Sequence, residues 1–197
     1  MDLYPFEIHI TTQPLAPERL TAFSRECLAL KAKPLLIELA RGAQTTQPML
    51  GKVVHQPTLA EALLVAAADS QQLQACSLPV SRVKIETAAS LSHLATPAAG
   101  PAFQPYFEWH GKVAYQQAEE LLAVCLQHQA HLSANALRHV AGTRFVTLRE
   151  YGTAEVFGAR ISRLTQALQE RWPLLKQESE CCVYDSNASL DAGWLPQ

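Results

Sequence analysis

The pattern Phe-Glu-x-His occurs twice, as Phe6-Glu7-Ile8-His9 and as Phe107-Glu108-Trp109-His110. In a chain of 197 residues it opens each half, and the segments that follow it read alike. A repeat of about a hundred residues restricts the fold to architectures that can be built from two copies of one unit.

In the first half, Phe6, Ile8 and Ile10 alternate with Glu7, His9 and Thr11, the period of a half-buried strand. Pro17 then takes a first-turn position, and Leu20, Phe23, Cys27 and Leu30 recur at helical spacing to Ala32. Leu35 to Leu39 reads as a strand, 42–47 as a connection and Met49 to His55 as a returning strand. Thr58 and Glu61 form a capping box ahead of an Ala/Leu-rich helix through Leu73, and Val80 to Glu86 closes the half as a strand.

The second half gives the same order. Tyr106 to Val113 is a strand, Gln116 to Gln127 a helix, and His131 to Arg138 with Arg144 to Tyr151 a hairpin. A helix from Thr153 carries Ile161, Leu164, Leu168 and Trp172 on one side and stops at Pro173, before a last strand from Glu178 to Asp185. Two further echoes accompany the first. Cys27 and Cys125 fall in equivalent helices, and the segments 86–91 and 185–190, each following a closing strand, share Ala and Ser-Leu at matching places.

The order β-α-β-β-α-β is that of a ferredoxin-like unit, whose helices cover one sheet face and leave the other open. The expected fold is therefore α+β: a tandem duplication of that unit, with two antiparallel sheets and helices on one face of each. Its expected parts are an N-terminal lobe over 1–88, a linker rich in Ala, Ser and Pro over 89–104, and a C-terminal lobe over 105–197, together one compact two-lobed domain.

Composition supports a packed core, with 48% hydrophobic residues. The 16 basic and 18 acidic residues give no uniform field for nucleic acid or an anionic membrane. Without a basic, apolar start or an apolar run of spanning length, the expectation is a soluble cytoplasmic protein. The five cysteines form neither a CxxC pair nor a zinc spacing and read as reduced packing residues.

Strand parity puts Phe6, Phe107 and Trp109 toward the helices and Glu7, His9, Thr11, Glu108, His110 and Lys112 on the open faces. Glu38, Lys84 and Glu86 join them from the first half, and His131, Ser133, Asn135 and Arg138 from the second. If the faces meet, Glu7, His9, Glu108 and His110 are the candidate catalytic groups of a polar cleft, because a carboxylate beside an imidazole sets its tautomer and basicity. The other residues are candidate ligand contacts.

The leading expectation is binding or turnover of a small polar or anionic, phosphorylated metabolite. A second is a metal held by Glu7, His9, Glu108 and His110, a set suited to iron, zinc or manganese. A third is a non-catalytic interaction module, a homodimer included, with RNA disfavoured because the sheet aromatics point inward. The sequence does not decide whether the protein is an enzyme, and it carries no Rossmann or P-loop fingerprint, so no nucleotide cofactor is expected.

The tripeptide His9-Ile10-Thr11 in a two-lobed frame resembles the two-histidine phosphoesterases, each of whose lobes carries an HxT or HxS motif. That resemblance implies paired histidines as proton donor and acceptor at a cyclic phosphate. The second motif departs from it, reading His110-Gly111-Lys112, while His131-Leu132-Ser133 fits the pattern on a different strand. The C-terminal run 185–194 resembles a calcium loop only in its alternating oxygens, and reads as a turn anchored by Trp194.

Overall fold

The computed structural model describes residues 2–95, 103–114, 118–137, 142–169 and 171–193. Arg138 and Trp194 lie outside them. The first half runs β1 (Tyr4–Thr12), α1 (Leu20–Ala29), β2 (Lys33–Leu39), β3 (Thr46–Gln56), α2 (Leu59–Ala75) and β4 (Val80–Ala88). The second runs β5 (Tyr106–Ala114), α3 (Ala118–Gln127), β6 (Ala130–Asn135), β7 (Thr143–Glu150), α4 (Ala154–Gln169) and β8 (Leu174–Asp185). Short 3-10 turns sit at Pro17–Arg19, Ala89–Leu94 and Ala188–Asp191.

Two ferredoxin-like antiparallel sheets are not what forms. All eight strands join one closed antiparallel barrel in the order β1-β3-β2-β6-β7-β5-β8-β4. Two seams close it. At one, Ile37, Glu38 and Leu39 of β2 pair with Asn135, Ala134 and Ser133 of β6. At the other, β4 pairs with β8 from Lys84 opposite Asp185 to Ala88 opposite Glu180. The physical reason is the sheet edge: four edge strands left unpaired would expose rows of N–H and C=O groups, and mutual pairing satisfies them. Closure also removes the sheet face as a platform for a macromolecule, because that face becomes the barrel interior.

The barrel is apolar outside and mixed inside, where charged groups share the interior with Leu35, Ile37, Leu39, Met49 and Phe145. Phe6, Ile8 and Ile10 pack outward against Phe23 and Cys27 of α1 and Ala62, Ala66 and Leu73 of α2. Trp109 and Val113 pack outward against Leu121 and Cys125 of α3 and Phe157, Leu164 and Leu168 of α4. Phe107 stacks on Phe157 at 5.1 Å between centroids. Fully burying each such side chain contributes about 1.5–3 kcal/mol.

Helix ends follow a common device. Thr58 caps α2, its hydroxyl accepting from the Glu61 amide at 3.3 Å and donating to the Glu61 carboxylate at 2.9 Å. After α1 and α2 the chain reverses through Lys31 (φ 56°) and Ser77 (φ 58°). There the Ala32 and Leu78 amides return to the Cys27 and Leu73 carbonyls at 2.9 and 3.0 Å, the Schellman pattern without its usual glycine. Among the described residues no helix is long and apolar enough to cross a membrane. All five cysteines are free thiols, and burial pushes Cys27 and Cys125 up to about 12 and Cys181 to about 11.

Candidate functional site

Register decides which side chains enter the barrel, since residues directly opposite one another point to the same face. Glu7, His9 and Thr11 of β1 stand opposite Glu86, Lys84 and Arg82 of β4. Glu108, His110 and Lys112 of β5 stand opposite Arg149, Thr147 and Phe145 of β7 on one side, and opposite Glu180, Glu178 and Lys176 of β8 on the other. The two Phe-Glu-x-His motifs thus contribute their carboxylates and imidazoles to a single lumen.

One end of the lumen is sealed by a buried ionic network. The turn Ala188–Asp191 crosses it and drops Asp191 between two arginines, with Arg82 Nη1 at 3.0 Å and Arg149 Nη2 at 2.7 Å. Arg82 also donates twice to Asp185, at 2.9 and 2.5 Å, and Tyr106 Oη donates to the same carboxylate at 2.9 Å. The Arg149 guanidinium lies 4.1 Å from the Tyr106 ring centroid and donates to Glu108 Oε1 at 2.7 Å. Beyond Asp191 the chain ties to the β2–β3 connection, where the Ala43 amide donates to the Ala192 carbonyl at 3.0 Å.

The middle of the lumen holds the histidines. Lys84 Nζ bridges Glu108 Oε2 at 2.8 Å and Glu86 Oε2 at 2.9 Å. His9 Nε2 lies 3.2 Å from Glu86 Oε2 and 3.6 Å from Glu7 Oε1. His110 Nε2 lies 3.4 Å from both Glu108 Oε2 and Glu180 Oε2, while its Nδ1 meets Thr147 Oγ1 at 2.9 Å. Three buried atoms here have no hydrogen-bond partner: His9 Nδ1, Glu86 Oε1, and Glu86 Oε2, which has only its ion pairs with Lys84 and His9. Gly51, opposite His9 on β3, leaves the space beside that ring: a Cβ there would come within 3.1 Å of Leu35 and 3.7 Å of His9 Nδ1.

The electrostatics follow from burial and proximity. Burial raises the Glu108 carboxyl, but Lys84 and Arg149 outweigh it and hold the group well below the usual range. Burial likewise works against ionised Glu86, and Lys84 with His9 brings it below its ordinary value. Burial disfavours His110 as a cation, yet its carboxylate neighbours Glu108 and Glu180 raise it above an ordinary histidine. Glu180 goes the other way, pushed up to about 8 by burial and by the Glu86 charge.

The opposite end is open. A mouth cavity of about 730 Å³ is lined by Lys33, Lys112, Arg144 and Lys176 together with Glu7, Glu38 and Glu178. An inner cavity of about 230 Å³ shares Glu7, Leu35, Asn135, Phe145 and Glu178 with it and reaches His9, Thr11, Lys84, Glu86, Glu108, His110 and Ser133. The structure therefore brings most of the sequence-derived candidates together, with Lys112 and Glu38 at the mouth. Asn135 is engaged at the seam, accepting from the Leu36 amide at 3.3 Å. His131, opposite Thr147 on the lumen side of β6, is buried and lines neither cavity, its Nδ1 3.4 Å from Arg41 Nη2.

Sequence reasoning missed Thr147, Arg149, Glu180 and Asp191. The first two carried a readable signal, since Val146 and Leu148 alternate with them in β7. Glu180 did not: β8 is polar at every position from Lys176 to Glu180, so alternation assigns no face. Asp191 reaches the site from a turn outside any strand.

No family model matches this chain, and no curated protein matches it. Among solved structures, it is similar to a mutant chlorite dismutase from Candidatus Nitrospira defluvii, at 12% identity over 92% of each chain with a TM-score of 0.31. A protein from Lactobacillus acidophilus NCFM provisionally assigned as a monooxygenase matches at 10% identity, over 98% of this chain and 100% of that one, with a TM-score of 0.35. A heme-binding protein from Thermus thermophilus matches at 14% identity, over 91% and 90%, with a TM-score of 0.29. At these scores the likeness carries no argument about function.

Proposed function

We propose that the barrel lumen binds a small polar metabolite admitted through the lysine-bearing mouth. The observation that carries this reading is a mouth cavity of about 730 Å³ that shares lining residues with an inner cavity, where buried polar groups without partners stand alongside Leu35, Ile37, Leu39, Met49 and Phe145. A buried polar group left unsatisfied costs about 1–3 kcal/mol. Glu86 Oε1 and His9 Nδ1 are such groups, and a ligand that hydrogen-bonds them recovers that cost on binding.

Charge sets the ligand's orientation. Lys33, Lys112, Arg144 and Lys176 at the mouth favour an anionic end, a phosphate or a carboxylate. The inner wall sets carboxylates beside Leu35, Ile37, Leu39, Met49 and Phe145, so the part that enters carries a hydrogen-bond donor or a cation together with apolar surface. His9 and His110, each against a carboxylate, supply proton-transfer capacity beside such a ligand.

A thermal-shift screen of chelator-treated protein against phosphorylated and carboxylated metabolites tests this. At least one compound is expected to raise the Tm of the wild type, and the rise is expected to shrink in a Lys33→Ala/Lys112→Ala/His9→Gln variant. A screen with no stabilising compound, or an equal shift in the variant, overturns the reading.

A further inference from the structure

We propose that Glu86, His110 and Glu180 form a site for one divalent transition-metal ion on the lumen wall. The site shares the lumen with the metabolite reading but rests on its own atoms. Its three residues come from β4, β5 and β8, with β8 lying between the other two in the barrel. Each offers one donor atom, and these atoms lie within 4.8 Å of one another. One ion with bonds of about 2.0–2.2 Å spans that separation after small side-chain rotations.

The independent pointer is Glu86. Its side chain is 1% exposed, Oε2 faces Lys84 and His9, and Oε1 has no partner. An ionised oxygen buried in this way is held in place at a cost that a bound cation removes. His110 has the geometry for the same role: its Nδ1 meets Thr147 Oγ1 at 2.9 Å, and in the tautomer with the proton on Nδ1 the Nε2 atom, 3.4 Å from Glu180 Oε2, is free to take a cation. Thr147 is then the outer partner a metal-bound imidazole ordinarily has.

Glu108 lies as near His110 as Glu180 does, yet both its oxygens are committed, Oε1 to Arg149 and Oε2 to Lys84. It contributes field and not a ligand. Of the four residues that the sequence suggested as a metal set, His110 alone belongs to the converging group.

One imidazole and two carboxylates suit zinc, manganese or iron(II) better than calcium, which takes oxygen ligands throughout, or copper(I), which prefers sulfur. All three residues line the inner cavity.

The test is titration of the chelator-treated full chain with Zn²⁺ by calorimetry and with Co²⁺ by visible absorption. One equivalent of each is expected to bind, with a cobalt d–d band that Glu180→Gln and His110→Asn abolish. Thr147→Val, which touches only the outer partner, is expected to weaken binding about 10–100-fold. If His110→Asn does not fold, Glu180→Gln and Thr147→Val decide. Binding well below one equivalent, or unchanged in Glu180→Gln and Thr147→Val, overturns the site. Metal binding without any metabolite shift leaves the site standing and removes only the metabolite reading; the reverse pattern removes the site alone.

Discussion

His131 shows how one side chain's surroundings set its chemistry. It stands opposite Thr147 on the lumen side of β6, as strand parity places it, yet lines neither cavity and is buried beside Arg41. Burial, then the Arg41 and Arg149 charges, pushes it down to about 3 from an ordinary 6.5. Its folded form is neutral, so the unfolded chain takes up a proton that the native one does not. The stability it contributes is complete above the unfolded pKa and is lost as pH falls toward the folded one, by at most about 1.4 kcal/mol per pH unit. His110, raised, acts in the opposite sense, contributing stability at low pH that is lost as pH rises. Comparing wild type with His131→Gln isolates the first effect: between about pH 6.5 and pH 4 the wild-type Tm should fall more steeply. Parallel curves would show that His131 does not carry this proton linkage.

At the scale of elements, strand parity was legible wherever apolar and polar residues alternate, as in β1, β5 and β7. In β4 it placed Lys84 and Glu86 on the lumen side despite the register shift against β8 between Ile85 and Glu86; it failed in β8, which is polar at every position from Lys176 to Glu180. Glu180 was hidden for that reason. Helix ends offer a direct check, because Lys31 and Ser77 hold left-handed backbone without glycine. Relief of that strain is worth roughly 1 kcal/mol per residue. Lys31→Gly and Ser77→Gly should each raise the midpoint of urea unfolding with unchanged slope, whereas a lowered midpoint would show that lost side-chain contacts outweigh the strain.

For the whole molecule, closure couples the halves through β2–β6 and β4–β8, so neither half completes its own sheet. We infer that the chain unfolds as one cooperative unit. All three tryptophans, Trp109, Trp172 and Trp194, belong to the second half, so their fluorescence reports it while far-UV dichroism reports both. The two urea transitions are expected to coincide. Separate midpoints would mean that each half holds together with its seams open.

By itself the sequence determined the element order and the division of β1 and β5 into an apolar face and a face bearing Glu7, His9, Glu108 and His110. Those are local properties, written in period-two and period-3.6 patterns. Only the tertiary structure decided that the faces meet as one lumen, that Asp191 seals one end between Arg82 and Arg149, and that Glu86 and Glu180 stand beside His110. Edge pairing between distant strands made those choices, and hydrogen bonds between backbones leave no mark on side-chain periodicity.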